Sequence, residues 1–192
     1  MTTDGFIGVW DHGGWAVFVT ASRDGKLLDR RRVELVDGEL PKIPHHSEGK
    51  VLPIDEAVAL VELVRESAQR HSRLALDAVA LDVPVRIAGV ALRRCQPLPP
   101  TIAERITDYR ASNVADWVMY RNAIAGAAED RGWAVHWYDA KTVFTAAGEV
   151  LGVADGDGYF LGLKASVGAP WDKDHRVAMA AAVVAAADHG KR

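Results

Sequence analysis

Cysteine is almost missing from this 192-residue chain, where Cys95 stands alone. One thiol builds neither a disulfide framework nor a cysteine-based zinc site, and its solitude suits a reducing compartment. Long apolar runs are missing too. The longest, VAMAAAVVAAA over 177–187, falls well short of the roughly 20 residues that span a bilayer. The opening MTTDGFIGVW has neither the charged start nor the apolar stretch of a secretory signal, so the expectation is a cytoplasmic protein with no membrane partner. An excess of positive charge is also absent. With 23 Lys+Arg against 26 Asp+Glu the net charge is −3, so any contact with nucleic acid needs a local basic patch. Neither internal repeats nor low-complexity tracts interrupt the chain.

What is present is an ordinary globular composition, 49% apolar and 26% charged, long enough for one domain over 1–192 with a sizeable core. Residues 6–36 read as a three-stranded meander of FIGVW, WAVFVTA and KLLDRRRVELV. Asp24-Gly25 marks the second turn, since glycine accepts the positive φ of a tight hairpin. A polar loop over 37–53 holds three prolines, with His45, His46 and Glu48 read as solvated loop residues. Ala57, Leu60, Val61, Val64, Ala68 and His71 then recur at helical spacing. LALDAVALDV over 74–83 reads as a buried strand, and GVALRRC over 89–95 as a candidate further strand.

Thr101 and Glu104 have the spacing of a capping box opening a short helix. A longer helix is expected from about Asn113, with Trp117, Tyr120, Ile124, Ala127 and Ala128 on one face and Gly132 beyond its end. WAVHWYD over 133–139 reads as a strand and KTVFTAAGEVL over 141–151 as a helix. The glycine-rich stretch 153–171 resists assignment, and an Ala-rich helix closes the chain from about Asp174. Antiparallel strands followed by alternating helix and strand imply an α/β fold: a mixed five-stranded sheet with helices on both faces.

FIGVWDHGGWAVFV resembles the opening strand-turn-strand of RuvC-type nucleases of the ribonuclease H-like superfamily, with Asp11 in the place of the first catalytic carboxylate. DAVALDV resembles the fourth strand, which in the family ends in a second acid; Asp82 would take that place, as Asp where RuvC proteins carry Glu. APWDKDHRVAMAAAVV resembles the last helix, with Asp172 and His175 on its paired positions and Asp174 a competitor one register away. YRNAIAGAAEDRGWAVHWYDAKTVF is similar to the central helix, fifth strand and following helix. The resemblance covers most of the chain and implies a ribonuclease H-like fold, a metal-dependent nuclease activity on nucleic acid, and a homodimer.

In that chemistry two Mg²⁺ or Mn²⁺ ions about 4 Å apart activate water and stabilise the leaving oxygen of a phosphodiester. Hard oxygen ligands suit them. The resemblance implies that Asp11 bridges the metals, that Asp82 and Asp172 or Asp174 complete the shell, and that His175 ligates or positions water. Each residue also has a plain structural account. Asp11 suits a turn beside Gly13-Gly14, Asp82 can simply end a strand before Val83-Pro84, and Asp172 or Asp174 can cap a helix. Arg30-Arg31-Arg32 suits a solvated edge strand, while Arg93-Arg94, Arg105 and Arg110 could form a modest basic rim. Two further readings stand beside the nuclease. One is a non-catalytic ribonuclease H-like interaction module. The other is a nucleotide-phosphate binder of the actin and sugar-kinase type, which Asp11-His12-Gly13-Gly14 resembles, although Trp15 replaces the usual hydroxyl residue and one domain is supplied where two are needed.

Overall fold

Five strands lie side by side in the order β3-β2-β1-β4-β5 in a computed structural model that describes residues 4–190. β1 (Asp4–Asp11), β2 (Trp15–Ser22) and β3 (Leu27–Glu34) form the antiparallel meander. Gly25 closes the β2–β3 turn with φ of 78°, a conformation glycine adopts without steric cost. β4 (Arg86–Arg93) and β5 (Ala134–Tyr138) continue the sheet in parallel with β1, as the mixed-sheet expectation requires.

The strands alternate inward contacts between two cores, as a side-chain period of two dictates. Ile7, Val9 and Phe18 pack beneath α1 (Ile54–Asp82) and α3 (Tyr109–Glu129). Phe6, Val17 and Val19 pack on the other face, beneath α4 (Val143–Leu151) and α7 (Lys173–His189). α2 (Ile102–Thr107) carries the expected capping box, Thr101 accepting from the Glu104 amide and Glu104 from the Thr101 amide. Short helices α5 (Gly156–Gly162) and α6 (Lys164–Val167) fill the glycine-rich stretch that the sequence leaves unassigned.

The expected strand over 74–83 is instead the last third of α1, a single helix of 29 residues. Its buried positions Ala68, Ser72, Ala75, Leu76 and Val79 extend the spacing that begins at Ala57, while Leu74 and Leu81 face solvent. Leucine and alanine are helix formers, so an apolar stretch rich in them carries the helix onward. The fourth strand is the candidate around 89–95, and α3 begins at Tyr109, earlier than expected, where Asp108 accepts from the Ala111 amide.

Beyond β3 the chain is tied to α1 through Asp37, which accepts from His71 Nε2 at 2.8 Å, from Ser67 Oγ at 2.9 Å and from Arg70. The bonds from His71, Ser67 and Arg70, in that order, hold its carboxyl down at about 2. A carboxyl depressed in the folded state stabilises fully above its unfolded value near 4. That contribution is lost as pH falls towards about 2. We expect the stability advantage of the parent over Asp37→Asn to be constant at neutral pH and to shrink to nothing across that acid window. Urea denaturation at a series of pH values reads it, and a pH-independent difference would contradict the pairing.

Candidate functional site

The carboxyl ends of β1, β4 and β5 meet one buried residue of α3. Asp11, the last residue of β1, is 2% exposed. Its Oδ2 accepts from Arg121 Nε at 2.9 Å and from Arg93 Nη2 at 3.3 Å. Oδ1 is buried with no hydrogen-bond partner among the described residues. Arg121 is 6% exposed and also reaches the Arg94 carbonyl at 3.4 Å. Burial works against its charge, but the Asp11 carboxylate outweighs burial and raises its pKa. Arg93 ends β4, with its guanidinium carbon 4.7 Å from the ring centre of Trp10. Tyr138 at the end of β5 donates to the Val9 carbonyl at 2.7 Å, and burial, then the Asp11 carboxylate, pushes its hydroxyl up. Cys95 adjoins this group; burial pushes the thiol up and keeps it from being a thiolate nucleophile at neutral pH.

Of the residues the resemblance nominates, Asp174 contacts the hairpin beside Asp11, and Asp172 and His175 line a pocket with it against Trp15 and Arg30–Arg32 of the neighbouring strands, while neither is bonded to Asp11. Asp174 Oδ2 lies 2.8 Å from Nε2 of His12, which stacks on Trp15 with ring centres 3.9 Å apart. That contact ties the start of α7 to the first hairpin. Asp172 is the cap of α7, its Oδ1 accepting from the Asp174 and His175 amides at 3.0 and 3.3 Å and lying 2.7 Å from His175 Nδ1. Burial opposes ionisation of Asp172, yet the His175 contact prevails and lowers its pKa. Asp82 is elsewhere. It is exposed at the end of α1, ahead of Arg86 at the opposite edge of the sheet, and accepts from Arg31 Nη1 at 2.9 Å.

The fourth strand therefore ends in Arg93, where the resemblance calls for an acid. Two guanidiniums face Asp11, and among the described residues no group of three or more His, Cys, Asp or Glu is placed to hold a metal ion. The residues present do not fit a Mg²⁺ or Mn²⁺ pair. Instead they make a cationic cleft of about 320 Å³ lined by Arg93, Arg94, Arg121, Gln96, Asn113 and Trp117.

Arg121 is the residue of this buried group that motif reading misses, although the signal is present. It falls four residues after Trp117 and three before Ile124, on a packed helical face, where a guanidinium requires a buried partner. His45 differs from its expectation as well. It is 1% exposed rather than solvated, with Nδ1 2.8 Å from Asp116 Oδ1.

No protein-family model matches the chain and no curated protein matches it. Among solved structures, Thermus thermophilus RuvC in complex with a Holliday junction substrate superposes with a TM-score of 0.53 at 13% identity, over 97% of this chain and 95% of that one. The fold is ribonuclease H-like. A second Thermus thermophilus RuvC structure gives a TM-score of 0.50 at 13% identity, over 97% and 96% of the two chains. The ribonuclease H-like likeness spans the whole sheet and both helical layers, and identity this low carries the fold alone. Among the described residues no helix is long and apolar enough to cross a membrane.

Proposed function

We propose that this chain is a ribonuclease H-like module that docks a nucleic-acid backbone at the carboxyl edge of its sheet without metal-dependent cleavage. One observation carries the reading: the buried Asp11 carboxylate, first of the expected metal ligands, is neutralised by Arg121 and Arg93. Both guanidiniums bond its Oδ2, and among the described residues no cluster of acids gathers round it to share a divalent ion. An anionic oxygen so compensated neither needs nor readily accepts a divalent ion.

The same arginines leave donors for phosphate. Arg94 is exposed, Arg93 is partly so, and both line the cleft with Gln96 and Asn113, which offer further polar contacts. Trp10, partly exposed beside Arg93, supplies a ring of the kind on which bases stack. This is a local basic patch on a chain of net charge −3, the arrangement the composition demands of any nucleic-acid contact. One solved structure that the chain resembles is of RuvC with a Holliday junction substrate, which makes branched DNA the first ligand to test.

The experiment is an electrophoretic mobility shift with a four-way junction, duplex and single strands, each with and without Mg²⁺ or Mn²⁺. We expect salt-dependent retention of intact DNA, and we expect Arg94→Ala to weaken it and to reduce the slope of log affinity on log salt by about 1. Metal-dependent cleavage that Asp11→Asn abolishes would replace this reading with the nuclease. Failure to retain any of the nucleic acids would leave the fold without this function.

A further inference from the structure

On the α1–α3 side of the molecule a separate polar constellation surrounds a cavity of about 570 Å³ between α1, α2 and α3. His45 lines it. The imidazole is held from one side only. Asp116 on α3 is fully buried, and its Oδ1 lies 2.8 Å from His45 Nδ1 while accepting from the His45 amide at 3.0 Å. Its Oδ2 accepts from the His46 amide at 3.1 Å. A carboxylate at Nδ1 places the ring proton there and leaves Nε2 as an acceptor in the neutral ring. Nε2 is buried and has no hydrogen-bond partner among the described residues. A buried ring nitrogen without a partner costs free energy, which a ligand donor recovers where a neighbouring wall side chain turns aside to admit it.

The cavity wall specifies that ligand. Val58, Ile102 and Ala103, half-buried, give the cavity an apolar wall backed by the buried Val61 and Met119. Gln69 and Asn122 stand at the same cavity, and each amide offers a donor and an acceptor, the pairing that the edge of a nucleobase presents. The charged groups are Glu62, Arg65 and Arg105, two cations against one anion. Arg65 pairs with Glu62. Arg105 is pre-set by its own backbone, donating from Nε to the Pro99 carbonyl at 2.7 Å and from Nη2 to the Pro100 carbonyl at 2.9 Å, with donors to spare. The volume lies within the usual range for small-molecule sites.

We propose that this cavity binds a nucleoside monophosphate, with His45 Nε2 accepting a hydrogen bond from the ligand and Arg105 supplying counter-charge to the phosphate. The site adjoins the arginine cleft through Val118 but shares none of its polar residues, so the Arg94→Ala variant tells its failure from that of the nucleic-acid reading. Isothermal titration of the full chain with AMP, GMP, CMP and UMP, their nucleosides, and inorganic phosphate tests it. At least one monophosphate is expected to bind with one-to-one saturation, its nucleoside and inorganic phosphate each about tenfold weaker or more. His45→Ala should weaken that binding about tenfold. Because His45 is buried, Asn122→Ala and Gln69→Ala serve as companions on the accessible rim, each expected to weaken the same monophosphate severalfold while leaving thermal unfolding unchanged. Arg94→Ala should leave the affinity as it was. The proposal is overturned if no monophosphate saturates at millimolar concentration, if nucleoside or phosphate alone binds equally well, or if the cavity variants bind like the parent.

Discussion

Arg121→Met is expected to destabilise the fold by about 3–5 kcal/mol, the usual cost of removing one partner from a buried ion pair. The substitution keeps most of the side-chain volume and stays apolar, so the loss is electrostatic rather than a cavity. It leaves the Asp11 carboxylate 2% exposed, with Oδ1 already unpartnered and only Arg93, at 3.3 Å, to compensate the charge. Arg93 is the weaker partner because its side chain is 28% exposed and divides its contacts between Asp11 and the Trp10 ring. Arg93→Ala should therefore cost clearly less than Arg121→Met. Replacing both members of the central pair, Asp11→Asn with Arg121→Met, should cost less than the sum of the single changes, since the second removal no longer strands a charge. Urea denaturation of the four variants gives the comparison. A cost below about 1 kcal/mol for Arg121→Met would mean that the carboxylate is solvated and screened, as for an exposed pair, and the case for a neutralised Asp11 would fall with it.

The antiparallel half of the sheet was legible because period-two burial and hairpin signals are local properties. FIGVW and WAVFVTA alternate between two cores, and Asp24-Gly25 marks the turn where it occurs. The capping box at Thr101 was equally local, as was the choice of an acid to cap α7, which the structure assigns to Asp172. The fourth strand was not. LALDAVALDV is apolar enough for a buried strand, and only its Leu and Ala content and the continuing spacing through Ala75, Leu76 and Val79 mark it as helix. That one shift moved Asp82 from the end of a central strand to the end of a helix, and it put Arg93 where an acid was expected. The candidate site therefore changed its charge when one element changed its type.

The remaining contacts join residues far apart in sequence. His45 and Asp116 are 71 positions apart and His12 and Asp174 are 162 apart, and neither pairing leaves a mark in local composition. A proline-rich loop reads as solvated unless its tertiary partner is known. Arg121 lies between these cases: its partner is remote, but a guanidinium on an apolar helical face is visible in the sequence and demands an explanation.

Gly8→Ala is expected to cost about 3 kcal/mol or more, at or beyond the upper end of ordinary overpacking. Gly8 lies in mid-strand of β1, between Val19 of β2 and Ala91 of β4, on the face that carries α7. A Cβ there would overlap the Ala178 carbonyl oxygen and come within 2.7 Å of its carbon and 2.9 Å of the Ala182 nitrogen. These are backbone atoms of a helix, so no side-chain rotation relieves them, and either the strand or the whole of α7 must move. Movement of α7 is itself costly, because Val177 through Val183 are buried all the way round the helix. Gly126→Ala is the contrast. A Cβ at that position in α3 meets nothing within 4 Å, and alanine should stabilise the helix by up to about 1 kcal/mol. Denaturation midpoints for the two variants should therefore move in opposite directions. The outcome bears on the site as well as on the core, since α7 brings Asp174 to His12 beside Asp11. If Gly8→Ala cost under about 1 kcal/mol, the close seating of α7 on β1 would be wrong, and the placement of Asp174 at the carboxyl edge would lose its anchor.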